Sequence, residues 1–245
     1  MNNPLITIIT VVYNGVETLD ETIASIRAIR YKPLEYIIVD GESTDGTLNI
    51  IQRNKDMITR WVSERDQGIY DAMNKGWRLA SDESYVLYIG SGDRVVALPE
   101  DMTKYGSSEV LYGAVYMGQN VVFKPRVDFH LKLYNTLHHQ ALLVKKSLHP
   151  GAPFNLKYKV FADFDFNQRL FKSGAHFSYC EDLKCYALPG GVSDEAAFSE
   201  SLMVIRKNFG PIWALIASVA HRCMHRFPFM SFLRPLQPIA RRGDC

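Results

Sequence analysis

Through its first hundred residues the chain alternates between two rhythms. Short, largely apolar runs occupy 5–12, 34–39, 58–63 and 85–89. Runs of this length, rich in β-branched and aromatic residues and bounded by turn residues, read as buried strands. Between the first two, Val16, Leu19, Ile23, Ile26 and Ile29 recur at three- and four-residue spacing, which predicts an amphipathic helix. A short helix is expected over 47–52, with Ser43 and Asp45 as N-caps. A third is expected over 68–80, with Ile69, Ala72, Met73, Gly76 and Leu79 on its apolar face. The order βαβαβαβ with short connections predicts a parallel sheet, right-handed crossovers and helices on both faces.

After Asp93 the rhythm changes. Residues 109–116 and 120–123 read as a hairpin about Gly118, and 137–145 leads into a further strand. A helix over 161–172 should end at Ser173-Gly174. Two short strands near 176–179 and 184–188 and a helix over 194–208 are expected to follow. There is no internal repeat and no linker before about Gly210. The expectation is an α/β domain over 1–210, in halves 1–98 and 99–210, followed by a tail over 211–245.

At 245 residues, 47% hydrophobic and 22% charged, the chain can bury a sizeable core. A net charge of +2 gives no field for nucleic acid, so no nucleic-acid partner is expected. Cys180, Cys185, Cys223 and Cys245 form no CxxC pair, which favours free thiols in a reducing compartment. The first residues lack the basic start and cleavage site of a signal peptide, and the apolar stretch 212–220 is too short to span a bilayer. A cytoplasmic protein is expected. The tail adds a second expectation, peripheral attachment to the inner face of the cytoplasmic membrane. There Arg222, Arg226, Arg234, Arg241 and Arg242 oppose only Asp244, interleaved with Trp213, Leu215, Ile216, Phe227, Phe229, Met230, Phe232 and Leu233. Such a composition suits an anionic lipid surface, or a helix packed on the domain or on a dimer partner.

Carboxylates recur where strands end: Asp40, Asp66 and Asp93. In a parallel sheet these ends share one rim, where α/β sheets bind ligands. The first strand–helix turn has no Gly-x-Gly-x-x-Gly, and no Gly-Lys-Ser/Thr loop occurs. A diphosphate bound here would need another source of positive charge, such as a divalent metal on Asp93.

Four stretches in order, Thr10-Val-Val-Tyr-Asn14, Val39-Asp-Gly-Glu-Ser-Thr-Asp-Gly-Thr47, Ser63 to Gly76 with its Asp-Gln-Gly-Ile-Tyr-Asp core, and Ile89-Gly-Ser-Gly-Asp93, resemble glycosyltransferase family 2. The resemblance implies an α/β GT-A fold, a Rossmann-like, mostly parallel sheet with helices on both faces, here with a C-terminal helical basic appendage. It implies an inverting transferase that takes a nucleotide-sugar donor in residues 1–98 and a glycan or lipid-linked acceptor in 99–210, in bacterial surface polysaccharide synthesis, with Mg²⁺ or Mn²⁺. Carried over by residue, it implies that Thr10, Tyr13, Asp40, Asp66, Gly68, Asn74, Lys75 and Ser91 meet the nucleotide. Asp40 would accept from the base; a carboxylate suits the imide N–H of uracil, and thymine and guanine stay open. Asp93 would hold the metal, with Ser91 where the family has a further Asp. Asp163 falls on the family's base position, although Ala162 replaces a Glu. Asp165 is the alternative, and a residue two positions away on a helix faces elsewhere. His139 and Gln140 resemble a His-Gln element that meets diphosphate or acceptor; a polar cluster at a strand edge is the plain alternative. Ser91 and Ala162 keep open a binding protein without transferase activity. A nucleotidyltransferase is a further reading, against which the missing phosphate loop counts.

Overall fold

The computed structural model describes residues 3–118, 121–189, 198–226 and 236–238. Strand β1 (Ile6–Val12) leads to helix α1 (Leu19–Arg27), β2 (Leu34–Asp40), α2 (Thr47–Arg53), β3 (Arg60–Ser63), α3 (Ile69–Leu79) and β4 (Tyr85–Gly90). These four strands pair in parallel in the order β4-β1-β2-β3. The alternation of β1 divides the core. Ile6, Ile8 and Val12 pack with Leu19, Ile23 and Ile26 of α1 and Ile50 and Ile51 of α2, while Ile9 and Val11 pack with Met73 and Trp77 of α3. Both faces of the sheet are therefore covered, which is why its strands are apolar throughout rather than alternating.

Beyond β4 the sheet turns antiparallel. Strand β5 (Arg94–Ala97) precedes β6 (Val110–Met117) and β7 (Val121–Phe123), which form the expected hairpin. Strand β8 (Leu142–Lys145) joins β4 to β6, antiparallel to both. Helix α4 (Ala162–Lys172) and strand β9 (Phe177–Ala187) follow, then helices α5 (Phe198–Phe209) and α6 (Pro211–Arg226), and β10 (Leu236–Pro238) on the edge of β7. The sheet is thus wholly parallel in its first half and mixed in its second, where the short β6–β7 connection permits antiparallel pairing alone.

Several expectations are corrected. The two short strands are one continuous strand, β9, parallel to β6 and antiparallel to β5. The polar step at Glu181-Asp182 looks like a turn in the sequence, yet Cys180 and Leu183 on either side of it are buried. The extra length is absorbed as a register shift opposite Gly113. A Cβ built at Gly113 would collide with the backbone carbonyl of Leu183. Gly113→Ala should therefore lower stability by about 3 kcal/mol, read as a fall in the denaturation midpoint; an unchanged midpoint would show that the bulge can widen.

Of the expected α3 face Ala72, Met73 and Gly76 are buried, whereas Ile69 is half exposed and Leu79 only partly buried; Tyr70, Asn74 and Trp77 are buried beside them. Trp77, fully buried, sets the rotation of that helix. Ser43 caps no helix but accepts from the Asn14 N–H, whereas Asp45 accepts from the Thr47 N–H at the start of α2. Helix α5 is described from Phe198 on; residues 194–197 of the expected helix lie outside the described residues. Helix α6 packs against α5 and seats Trp213, Ala214 and Ala217 against the core on the α3 face. Phe227, Phe229, Met230, Phe232, Leu233, Arg234, Arg241, Arg242 and Cys245 lie outside the described residues. Cys180, Cys185 and Cys223 are free thiols. Among the described residues no helix is long and apolar enough to cross a membrane.

Candidate active site

The parallel strands bring their carboxyl ends to one rim, with Val12, Asp40 and Ser63 side by side in register. Asp40 is fully buried there. Its Oδ2 accepts from the Ser63 hydroxyl at 2.6 Å and the Ser43 N–H at 3.0 Å. Its Oδ1 is buried with no hydrogen-bond partner in the structure. A buried carboxylate oxygen left unpaired is costly, so it marks a place where a donor belongs. The adjacent Gly41 lies under the Asp66 carboxylate and the edge of the Tyr13 ring. Tyr13 itself is 65% exposed. Asp66 accepts from the Gly68 N–H at 2.8 Å, which folds the loop before α3 back on itself; Gly68 has φ 112°, so this turn needs glycine.

Not every predicted nucleotide contact faces this rim. Thr10 is wholly inside the core, where it accepts from the Tyr36 phenol. Asn74 is also buried. It donates to the Phe154 carbonyl and accepts from the Phe154 N–H, and so clamps α3 to the chain ahead of α4. Lys75 spends its ammonium on the Arg65 carbonyl at 2.6 Å, Glu64 at 3.1 Å and Asp71 at 3.6 Å. It holds the loop rather than standing free for phosphate. Ser91 shares a hydrogen bond with Thr18 at 2.8 Å.

The remaining candidates converge through one turn, residues 138–140. Asp93 is 7% exposed. Its Oδ1 accepts from the Leu188 N–H at 2.8 Å, and its Oδ2 from the Gly90 N–H and the Gln140 amide, both at 3.1 Å. The other end of Gln140 bonds His138. The neighbouring His139 turns the opposite way and places Nδ1 3.4 Å from Asp163 Oδ2. Asp163, in the first turn of α4, also accepts from the Phe164 N–H at 2.7 Å, the Tyr70 phenol at 3.2 Å and the Asn135 amide at 3.4 Å. Burial pushes its carboxyl up. The His139 hydrogen bond, the nearby imidazoles and the Phe164 N–H outweigh that and hold it below the usual carboxylate range.

Asp165 does not join this group. It is fully buried on the far side of α4, where it bonds Arg169, Lys207 and Asn208 and so pins α4 to α5. Three further residues carry the geometry without any local signal. Tyr70 reads as a packing residue, yet its phenol reaches both Asp163 and, at 2.6 Å, the Val160 carbonyl. Asn135 bridges Asp163 and Asn167. Glu200, in α5, accepts from the N–H groups of Lys159, Val160 and Phe161 and so finishes the N-terminus of α4.

His138 is pushed down by burial and by its neighbour His139, with Gln140, Asp163 and Asp93 pulling the other way. A histidine kept neutral in the folded state takes up its proton more readily when unfolded. Stability should therefore decline as pH falls from about 6.5 towards the lower folded value, and be fully present above it. Melting curves between these limits should show this slope, and His138→Gln should flatten it. An equal slope in the variant would assign it elsewhere.

Among the described residues no group of three or more His, Cys, Asp or Glu side chains gathers as a metal cage. Three donors use most of the roughly four lone-pair sites of the Asp93 carboxylate and leave one. That fits a hard cation bound by one protein carboxylate, with its other ligands from phosphate and water.

A four-stranded parallel half, a mixed second half and a carboxylate rim are the architecture of the GT-A fold. The glycosyl transferase family 2 model matches residues 7–95. A PGL/p-HBAD biosynthesis glycosyltransferase of Mycobacterium bovis (strain BCG / Pasteur 1173P2) is 33% identical over 190 residues, covering 71% of this chain and 73% of that protein. The chain belongs to glycosyltransferase family 2. Its fold is similar to that of S. aureus TarS 1-349 in complex with UDP-GlcNAc, with TM-score 0.60 and 17% identity over 83% of this chain; the match spans 65% of that longer chain. It is similar also to the mannosyltransferase PcManGT from Pyrobaculum calidifontis in complex with GDP-Man and Mn²⁺, with TM-score 0.59 and 17% identity over 96% of this chain and 82% of that one.

Proposed function

We propose that this chain is an inverting, metal-dependent transferase that moves a sugar from a nucleotide-diphosphate donor to a hydroxyl of a glycan or lipid-linked acceptor. The observation that carries this is the 138–140 turn, which links Asp93 and Asp163 from opposite sides of one site. Asp163, ionised at neutral pH, takes the proton of the acceptor hydroxyl as that oxygen attacks the anomeric carbon. One base and a single displacement from the face opposite the leaving group give inversion. Tyr70, Asn135 and His139 hold the base in place. Mg²⁺ or Mn²⁺ on Asp93 would supply charge neutralisation for the departing nucleoside diphosphate. The unpaired Oδ1 of Asp40 supports a donor base that presents an imide N–H, and UDP-sugars are favoured. The solved neighbours include one with a UDP-sugar and one with a GDP-sugar, so the base is a point for experiment.

A second reading, donor binding without transfer, draws on Ser91 and Ala162. Ser91 is tied to Thr18, and Ala162 is fully buried, so neither supplies a carboxylate to the site. Both readings face the same experiment. Melting curves are recorded with UDP-, dTDP-, GDP- and CMP-sugars, each with Mn²⁺ or EDTA. At a hundredfold excess over Kd, the correct donor should stabilise the fold by about 2.7 kcal/mol in the presence of metal. A UDP-sugar response abolished by EDTA, followed by transfer to an added acceptor, supports the transferase. Donor binding with no transfer to any acceptor supports the second reading. Silence across the panel removes both.

A further inference from the structure

We infer that α6 is a docking face for an anionic lipid bilayer. One side of this helix is committed to the protein through Trp213, Ala214 and Ala217. The other side exposes Ile212, Leu215, Ile216 and Val219, at 72%, 66%, 43% and 52%. Their spacing of three, four and seven from Ile212 makes one continuous apolar stripe on a helix whose rotation is fixed by its packed side. Met203, on the adjoining α5, is exposed as well. A stripe of this kind on a rigid helix marks an interaction surface rather than scattered surface apolarity.

Charge identifies the occupant. The last 45 residues hold seven of the 28 Lys and Arg residues and only one of the 26 acidic ones, so the preceding 200 are net negative by four. Arg206 and Arg222 are exposed on α5 and α6, and Lys207 beside them pairs with Asp165. Lys132 stands over the rings of Phe209 and Trp213 at the start of α6. An apolar stripe beside exposed arginines, in the basic end of the chain, matches the acyl boundary and headgroups of an anionic leaflet. A second copy of the chain would bring this basic surface against itself in a two-fold contact. The chain's own basic tail carries the same sign. Both therefore fit less well than lipid. This inference stands apart from the donor and base assignments, because it uses none of their residues.

The test is flotation of the full chain with vesicles of phosphatidylcholine alone or mixed with phosphatidylglycerol. The parent should float with the mixed vesicles only, and less so as salt rises. The double variant Leu215→Glu, Ile216→Glu removes two insertable side chains and should weaken partitioning roughly a hundredfold. Its melting temperature should not change, since both side chains are exposed. Equal flotation of parent and variant would assign binding to the tail and overturn the inference. A parent that floats with no vesicle overturns it too, as does a parent dimer that the variant dissolves, seen by sedimentation.

Discussion

Asp163→Asn should lower the transfer rate by about 10³-fold and leave donor binding unchanged. The amide has the size of the carboxylate and can still accept from the Phe164 N–H, so α4 keeps its first turn. What it cannot do is take a proton. Donor affinity is the control, because Asp163 stands across the 138–140 turn from Asp93. The parent's pH profile gives a second readout. The carboxyl sits below the usual range, so the base remains ionised from neutral pH down through the ordinary carboxylate region. By linkage, the stability that its ionised form contributes is complete above the ordinary carboxylate value and lost as pH falls through the depressed folded value. The rate should therefore hold flat on the acid side until that value is reached. An acid limb near neutrality, or a variant with full activity, would remove Asp163 as base.

Asp93→Asn should abolish the metal dependence of donor binding and lower activity by about 10²-fold or more. The argument is one of donors and acceptors. Three donors converge on Asp93, from Leu188, Gly90 and Gln140, and both carboxylate oxygens are used. An amide offers one acceptor and turns an NH₂ towards another donor. Gln140 must then turn away and loses its hold on His138. A stability loss of about 2 kcal/mol should accompany this, with the chain still folded. The decisive measurement is donor titration with Mn²⁺ against EDTA. A variant whose donor affinity still responds to metal would show that the ion is held elsewhere.

The first half of the fold was legible because it is built from local pattern. A βαβ unit writes its strands and helices in short contiguous stretches, and the rim follows from parallel order alone. Asp163 and Asp165 could be separated in principle by helical spacing, but which of them faces inward depends on Lys207 and Asn208, some forty positions later. The side-chain directions of Thr10 and Asn74 were illegible for a related reason. Their neighbours reach the rim, while their own side chains are turned into the core by Tyr36 and Phe154. A period-two or period-3.6 pattern names a face but not the partner that fills it. The continuity of β9 was illegible for a different cause. A bulge places polar residues where a regular strand would be apolar, and only the space left by Gly113 shows that the strand continues. The reach of the Tyr70 phenol to the Val160 carbonyl, 90 positions away, has no local signal at all.

Glu200 bears on how small a working fragment of this chain could be. The family model ends at residue 95, and Asp163 lies well beyond it. Yet a fragment cut just after α4 would still lack the carboxylate that gathers the backbone of 159–161. The lead-in to α4 is finished by a residue of α5, beyond β9, so Asp163 has no self-sufficient support. Trimming towards a minimal fragment, or grafting α4 into another scaffold, must therefore carry α5 along with it.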